Sequence, residues 1–255
     1  GSYSLDANTT GAANVGIGKS TISTNTTGNY NTAVGHEALK ANTTAADNVA
    51  VGHAALTANT TGSKNTAIGK DALKANTTGT RNIAIGYQAY DASDTENDNI
   101  AIGYQVMTTN TAGGSANVAI GNYAMDALTS GDANVALGHQ AMSGNTSGGN
   151  NTSLGSYNMV VNSTGSNNTA VGQGVMYANT TGENNVGLGQ NSLAANTTGN
   201  RNIAIGATAM DQSVTASDNL AIGPSAISVD ASGGTKNIAI GNYALAALTS
   251  GDTNT

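Results

Sequence analysis

The apolar and polar positions of this chain follow a short pattern that restarts every 17 residues. Aligned on N-x-[A/G/S]-[V/I/L]-G, units begin at Asn14, Asn31, Asn48, Asn65, Asn82, Asn99, Asn117, Asn134, Asn151, Asn168, Asn185, Asn202, Asn219 and Asn237. Twelve of these fourteen units are 17 residues long, and those starting at Asn99 and Asn219 are 18. Position 1 is always Asn and position 5 always Gly. Positions 2 and 4 are mostly branched and apolar, whereas position 3 is only Ala, Gly or Ser. That alternation predicts a short strand over positions 2 to 4. Gly then ends the strand by taking a backbone angle that other residues avoid. Position 8 is mostly Ala and position 9 is Leu, Met, Ile or, once, Tyr90, which predicts a second short strand over positions 7 to 9. The closing Asn-Thr-Thr-Gly is turn chemistry, since Asn and Gly tolerate left-handed conformations. Two turns per unit leave no window of ~10 residues for a helix, and a leucine-rich repeat would need a unit of roughly 20–29 residues.

Each unit therefore reads as one coil of an all-β parallel solenoid. Coils should rise by ~4.8 Å, so fourteen would extend roughly 65–70 Å. Stacked coils place like residues in columns, and the Asn column is expected to chain its amides from coil to coil. Residues 1–13 read as a tag scar (Gly1-Ser2) plus a partial coil, 14–253 as the repeat solenoid and 254–255 as the start of a truncated coil, an excerpt of a longer array. A longer period lies above the first: Arg81-Asn82-Ile83-Ala84-Ile85-Gly86 recurs at Arg201 to Gly206, and both copies continue through an 18-residue unit to Asn-Tyr-Ala and Ala-Leu-Thr-Ser-Gly-Asp. The offset of 120 residues is seven units, so the chain reads as a duplicated block.

One coil offers few bulky apolar groups, at positions 2, 4 and 9, too few to offset the ordering of its backbone. More surface has to be covered, so self-association is expected, with three chains around one axis. The small-residue face built by positions 3 and 8 is the natural contact surface, although the pattern leaves open whether the bulky or the small set lies against the shared axis.

Composition narrows the function classes. Charged residues are 9%, and the aromatics are nine Tyr with no Phe or Trp. A compact core usually draws on Phe and Trp, so the composition suits a thin column better than a globule. A net charge of −7 with eight dispersed cations excludes a nucleic-acid surface. The absence of Cys excludes a disulfide scaffold and a thiolate metal site. No apolar run approaches the ~18 residues of a membrane helix, so no membrane insertion by this segment is expected.

No catalytic constellation is legible, and no enzyme activity or cofactor is expected. His36, His53 and His139 all occupy position 6, which predicts a solvated column rather than a metal site. Asp91, Asp94, Glu96 and Asp98 form the densest acidic run and a weak Ca²⁺ candidate, because Ca²⁺ accepts clustered oxygen ligands with lax geometry. Asp126 and Asp132 lie further on, and the second block keeps only Asp211 and Asp218. Tyr87, Tyr104, Tyr123, Tyr157 and Tyr243 fall at the variable positions 6 and 7 and are the candidate ligand contacts. The Thr-Thr pairs raise an ice-binding alternative, but adjacent Thr point opposite ways in a strand. Asn-Thr-Thr also matches a glycosylation sequon, which turn chemistry explains without modification.

The units Asn31-Thr32-Ala33-Val34-Gly35 and Asn82-Ile83-Ala84-Ile85-Gly86, with their siblings along nearly the whole chain, resemble the YadA-like head (Hep/Hag) repeats of trimeric autotransporter adhesins. Similar repeats occur in phage tail fibres. The resemblance implies a left-handed parallel β-roll, a homotrimer, and display outside the cell, anchored at the outer membrane, to attach to host cells, matrix or glycans. A virion fibre is the alternative. The unit here is longer than the head repeat, the extra length falling around Asn-Thr-Thr-Gly.

Overall fold

The structure, a computed structural model of the chain, describes residues 1–110, 113–228, 234–246 and 251–255. It is an all-β parallel solenoid with no helix among the described residues. Two compact units divide it, Gly1–Ser130 and Gly131–Thr255. Each holds seven three-residue strands, the first unit from Val15–Ile17 to Val118–Ile120 and the second from Val135–Leu137 to Ile238–Ile240. Every strand occupies positions 2 to 4 of its coil. Within each unit, strands pair in parallel with the next coil, one repeat away: Val49 with Thr66 in the first unit, Val186 with Ile203 in the second. At the long coils the register steps by 18, as in Ile100 with Val118. The second copy of Ala-Leu-Thr-Ser-Gly-Asp lies outside the described residues from 247 to 250.

The packing reverses the expected contact face. Position 3 lies inside the coil: Ala33, Ala50, Ala67, Ala84 and their equivalents are fully buried. Position 8 is buried opposite it, and position 9 supplies the largest core side chains, among them Leu39, Leu73, Met142 and Met176. Positions 2 and 4 point outward, with burial patterns such as intermediate–buried–exposed in Thr66–Ile68. The small residues thus line the interior beneath the strand, and position 9 fills the rest of it. A Cβ on Gly187 would come within 2.5 Å of Val175 Cγ1, so the coil with Val at position 8 meets Gly at position 3.

The predicted second strand is absent. Positions 7 and 9 are left-handed in coil after coil, as in Glu37 (φ 58°) and Leu39 (φ 52°), and the segment is a turn. Alternating left-handed residues fold the chain back so that positions 8 and 9 face inward beneath the strand. Such angles are unfavourable for Leu or Ile, and they persist because backbone bonds to the next coil hold them, as Leu39 N–H does to Ala55 O at 2.9 Å. The invariant Gly at position 5 has two causes. Gly35 has φ 135°, and a Cβ there would lie 2.4 Å from Gly52 O.

The Asn columns also differ from expectation. At position 1 the side chain does not mainly bond its like. Asn48 Oδ1 accepts from Asn65 N–H at 2.9 Å, while Asn65 Nδ2 donates to Gly79 O at 2.8 Å and closes its own coil. The amide chain runs instead through the Asn of Asn-Thr-Thr-Gly, position 12. Asn42 Nδ2 donates to Asn25 Oδ1 at 2.7 Å and to Ala45 O at 3.1 Å. Both Asn columns are buried and both converge on the carbonyl of position 15. In the long coil after Asn99 the amides of Asn99 and Asn110 both reach Gly114 O, so the extra residue lies between Asn110 and Gly114.

Candidate functional site

Position 5 Gly turns the chain out of the strand, and positions 6 and 7 then project from the coil edge. Because coils stack in register, equivalent side chains meet. In the first unit His36 and His53 stack at 5.3 Å between centroids. Tyr87 and Tyr104 stack at 5.3 Å and 11° between planes, and Tyr104 meets Tyr123 edge-on at 5.5 Å. Lys70 Nζ lies 5.6 Å from the Tyr87 centroid. Of the five candidate contact tyrosines, Tyr87, Tyr104 and Tyr123 therefore form one outward ladder. In the second unit Tyr157 packs edge-on against His139 at 5.2 Å. Tyr243 is the most open of the set, 71% exposed. Where rings stack on one another, their faces are already used, so the ladder offers a partner ring edges and hydroxyls.

The acidic run does not converge. Asp98 is clamped by Arg81, with Nε to Oδ1 at 2.5 Å and Nη2 to Oδ2 at 2.7 Å, and this pairing holds its carboxyl below the usual range. Asp94 accepts from Thr77 Oγ1. Glu96 turns inward and is 3% exposed; its Oε2 accepts from Ser93 Oγ and from the N–H groups of Asp94 and Thr95 at 2.9–3.1 Å, and its Oε1 accepts from Gly113 N–H at 3.2 Å. Asp91 is half-buried, and burial raises its carboxyl. Asp94, Glu96 and Asp98 are thus committed to different partners, and the Ca²⁺ grouping is not assembled. Among the described residues no group of three or more His, Asp or Glu is placed to hold a metal ion.

Two features escaped the sequence. Arg81–Asp98 recurs as Arg201–Asp218, with Nε to Oδ1 at 2.6 Å. Its signal was opposite charge at the same coil position in consecutive units. The second feature is a cleft of about 400 Å³ in the second unit, lined by Gly174, Tyr177, Asn191, Ala194, Ala195 and Asp211. Tyr177, Ala194 and Asp211 share coil position 10 in three consecutive coils, and Gly174 and Asn191 share position 7. A Cβ on Gly174 would lie 2.5 Å from Asn191 Oδ1, so the glycine leaves space for that amide. Burial raises the Asp211 carboxyl, against the weaker opposing effect of backbone N–H donors. No protein-family model, curated protein or solved structure matches this chain.

Proposed function

We propose that the chain is a non-enzymatic segment of a homotrimeric extracellular fibre that carries an attachment surface on a repetitive, left-handed column. The observation that carries this reading is the outer face of the sheet. In coil after coil it presents branched apolar side chains to water, with Ile17, Ile68, Leu137, Leu154, Ile205 and Ile240 all at least 36% exposed. Contiguous apolar surface of this kind is unusual on a monomer and is covered when copies associate. The role of contact face thus passes from the small residues to positions 2 and 4.

Attachment suits the division of labour within the coil. Positions 1, 3 and 5 are held nearly constant by ladder and packing demands, while positions 6 and 7 vary freely and carry Tyr87, Tyr104 and Tyr123. The resemblance to adhesin head repeats points the same way, toward host cells, matrix or glycans as partners and toward the outer membrane as anchor. The 17-residue unit, longer than the head repeat, favours as a second reading a bacteriophage tail-fibre segment on a virion. Ice binding is disfavoured by the Thr hydroxyls at position 13. Thr43 Oγ1 donates to Thr60 O at 3.1 Å and Thr60 Oγ1 to Thr77 O at 3.1 Å, so this column is committed to the solenoid itself.

The test is adhesion by the chain itself. Immobilised on beads, it should retain host cells, matrix protein or glycan, and replacing Tyr87, Tyr104 and Tyr123 together with Ala should weaken retention. A trimer that retains none of them is a spacer, and the adhesive part of the reading falls.

A further inference from the structure

The cations of this chain gather more tightly than their total suggests. Six of the eight Lys and Arg residues lie between Lys19 and Arg81, among three acids, and the rest of the chain holds two cations and twelve acids. Within that stretch, position 6 of six consecutive coils reads Lys19, His36, His53, Lys70, Tyr87 and Tyr104. All six are exposed. The backbone sets them in line, because the position 5 N–H just before each donates to the position 4 carbonyl one coil earlier, as Gly52 does to Val34 O and Gly69 to Val51 O at 2.8 Å. His36 stacks on His53 and Tyr87 on Tyr104 at 5.3 Å, and Lys70 Nζ sits 5.6 Å from the Tyr87 centroid. The acids beside the column are held from its other side. Glu37 Oε1 pairs with Lys40 Nζ at 2.8 Å and Asp71 Oδ1 with Lys74 Nζ at 3.4 Å, while Asp71 reaches Lys70 only at 3.9 Å. The donors of the column are thereby left to solvent. In the copy 120 residues on, the same six places hold His139, Ser156, Gln173, Gln190, Ala207 and Pro224, so the coil folds without a basic and aromatic column.

We propose that this column is a rail for an extended acidic polysaccharide that carries an anionic group on every sugar. The inference gives the attachment reading a ligand class and rests on that reading. Successive coils repeat at ~4.8 Å, an advance comparable to that of one sugar in an extended glycan, so successive sugars meet successive coils. The sulfate or carboxylate on each accepts from a Lys ammonium or from an imidazole N–H, which His offers in either protonation state. A glycan charged only on every second sugar would leave half of these donors unpaired. Beyond Lys70 the tyrosines continue the rail. Their faces are taken up by Lys70 and by each other, and their edges and hydroxyls suit sugar hydroxyls. The same occupied faces disfavour single-stranded nucleic acid, whose bases stack on free aromatic rings.

The test is calorimetric titration of the intact chain with a heparin hexasaccharide and with hexagalacturonate, which carry sulfate and carboxylate respectively. The comparators are uncharged N-acetylchitohexaose and a six-nucleotide oligothymidylate. An acidic hexasaccharide should bind about tenfold more tightly than either comparator, and added salt should weaken it. Tighter binding of heparin assigns the anionic group as sulfate, and tighter binding of hexagalacturonate as carboxylate. The matching disaccharide reaches only about two coils and should bind about tenfold more weakly. His36→Ser, His53→Gln and Lys70→Gln together install the residues of the second unit, so thermal unfolding should be unchanged while binding falls about tenfold. Lys64→Gln removes a cation from the exposed position 17 column and should leave binding unchanged. The proposal is overturned if neither acidic hexasaccharide binds, if the oligothymidylate or the disaccharide binds as tightly, or if Lys64→Gln weakens binding as much as the triple variant does. Such a failure leaves the attachment reading standing, because retention of cells or matrix protein on beads tests that reading separately.

Discussion

The coil at 82–98 and the coil at 202–218 are copies set 120 residues apart, and both break the same ladder. Each has Ser at position 12, Ser93 in one and Ser213 in the other, where most coils have Asn. In both, the Asn one coil earlier is left with a buried side-chain oxygen that accepts no bond, Asn76 Oδ1 and Asn196 Oδ1. The first unit repairs the break around it. Glu96 accepts from Ser93 Oγ, and Tyr90 OH accepts from Asn99 Nδ2 at 2.5 Å and Asn110 Nδ2 at 2.9 Å. The second unit has Met210 and Ala216 at those places, and Ser213 Oγ is left without a partner. The column tolerates a lost rung because each coil is also held by backbone pairing and by the position 1 Asn. How well the break is satisfied then depends on a few neighbouring side chains.

This contrast can be sharpened by substitution. The largest effect should come where the copies agree. Asn65→Ala and Asn185→Ala each remove a buried amide, taking one of two donors from the position 15 carbonyl of their own coil and orphaning a backbone N–H in the next, and each should cost about 2–3 kcal/mol in urea unfolding. Equal losses would show that the position 1 column bears the same load in both units. Next, Glu96→Ala turns the repaired break into the unrepaired one and should cost about 2 kcal/mol, as Ser93 and three backbone N–H groups lose their acceptor. Smaller and opposite in sign, Ser213→Asn should restore a donor to Asn196 Oδ1 and stabilise by about 1 kcal/mol.

The smallest effect concerns the paired surface charges. Arg81 holds Asp98 below its ordinary carboxyl range, so the folded state binds that proton less readily than the unfolded chain. The stability from this pair is present above the ordinary Asp value of ~3.9 and is lost as pH falls through the depressed value. Arg81→Ala should therefore lower stability slightly at neutral pH, make no difference once Asp98 is protonated, and so flatten the acid limb of a stability–pH profile, and salt should shrink the difference.

Much of the solenoid is legible in the residues. Gly at position 5 announces an angle only Gly adopts comfortably, and the 2–4 alternation marks the strand. The interior was also marked. Position 3 is only Gly, Ala or Ser, whereas positions 2 and 4 range from Thr to Leu, and a narrow size limit is the signature of a crowded place. Taking the small-residue face as the natural contact surface followed the usual rule that large apolar groups go inside, which holds for position 9 but fails for positions 2 and 4. Left-handed Leu39 could not be foreseen, because Leu has no local preference for that angle and only the neighbouring coil enforces it. The acidic run misled because closeness in sequence around a tight turn sends side chains different ways. The tyrosine ladder was legible as a set of outward positions but not as rings that occupy each other's faces. The Asp211 cleft joins residues one and two coils apart, which no local pattern marks.

The central claim is that the outward Val, Ile and Leu face is closed by other copies of the chain. Light scattering across a size-exclusion peak measures this directly. The account predicts a particle of three times the 25.0 kDa chain mass that persists on dilution. A stable species of single-chain mass would contradict it.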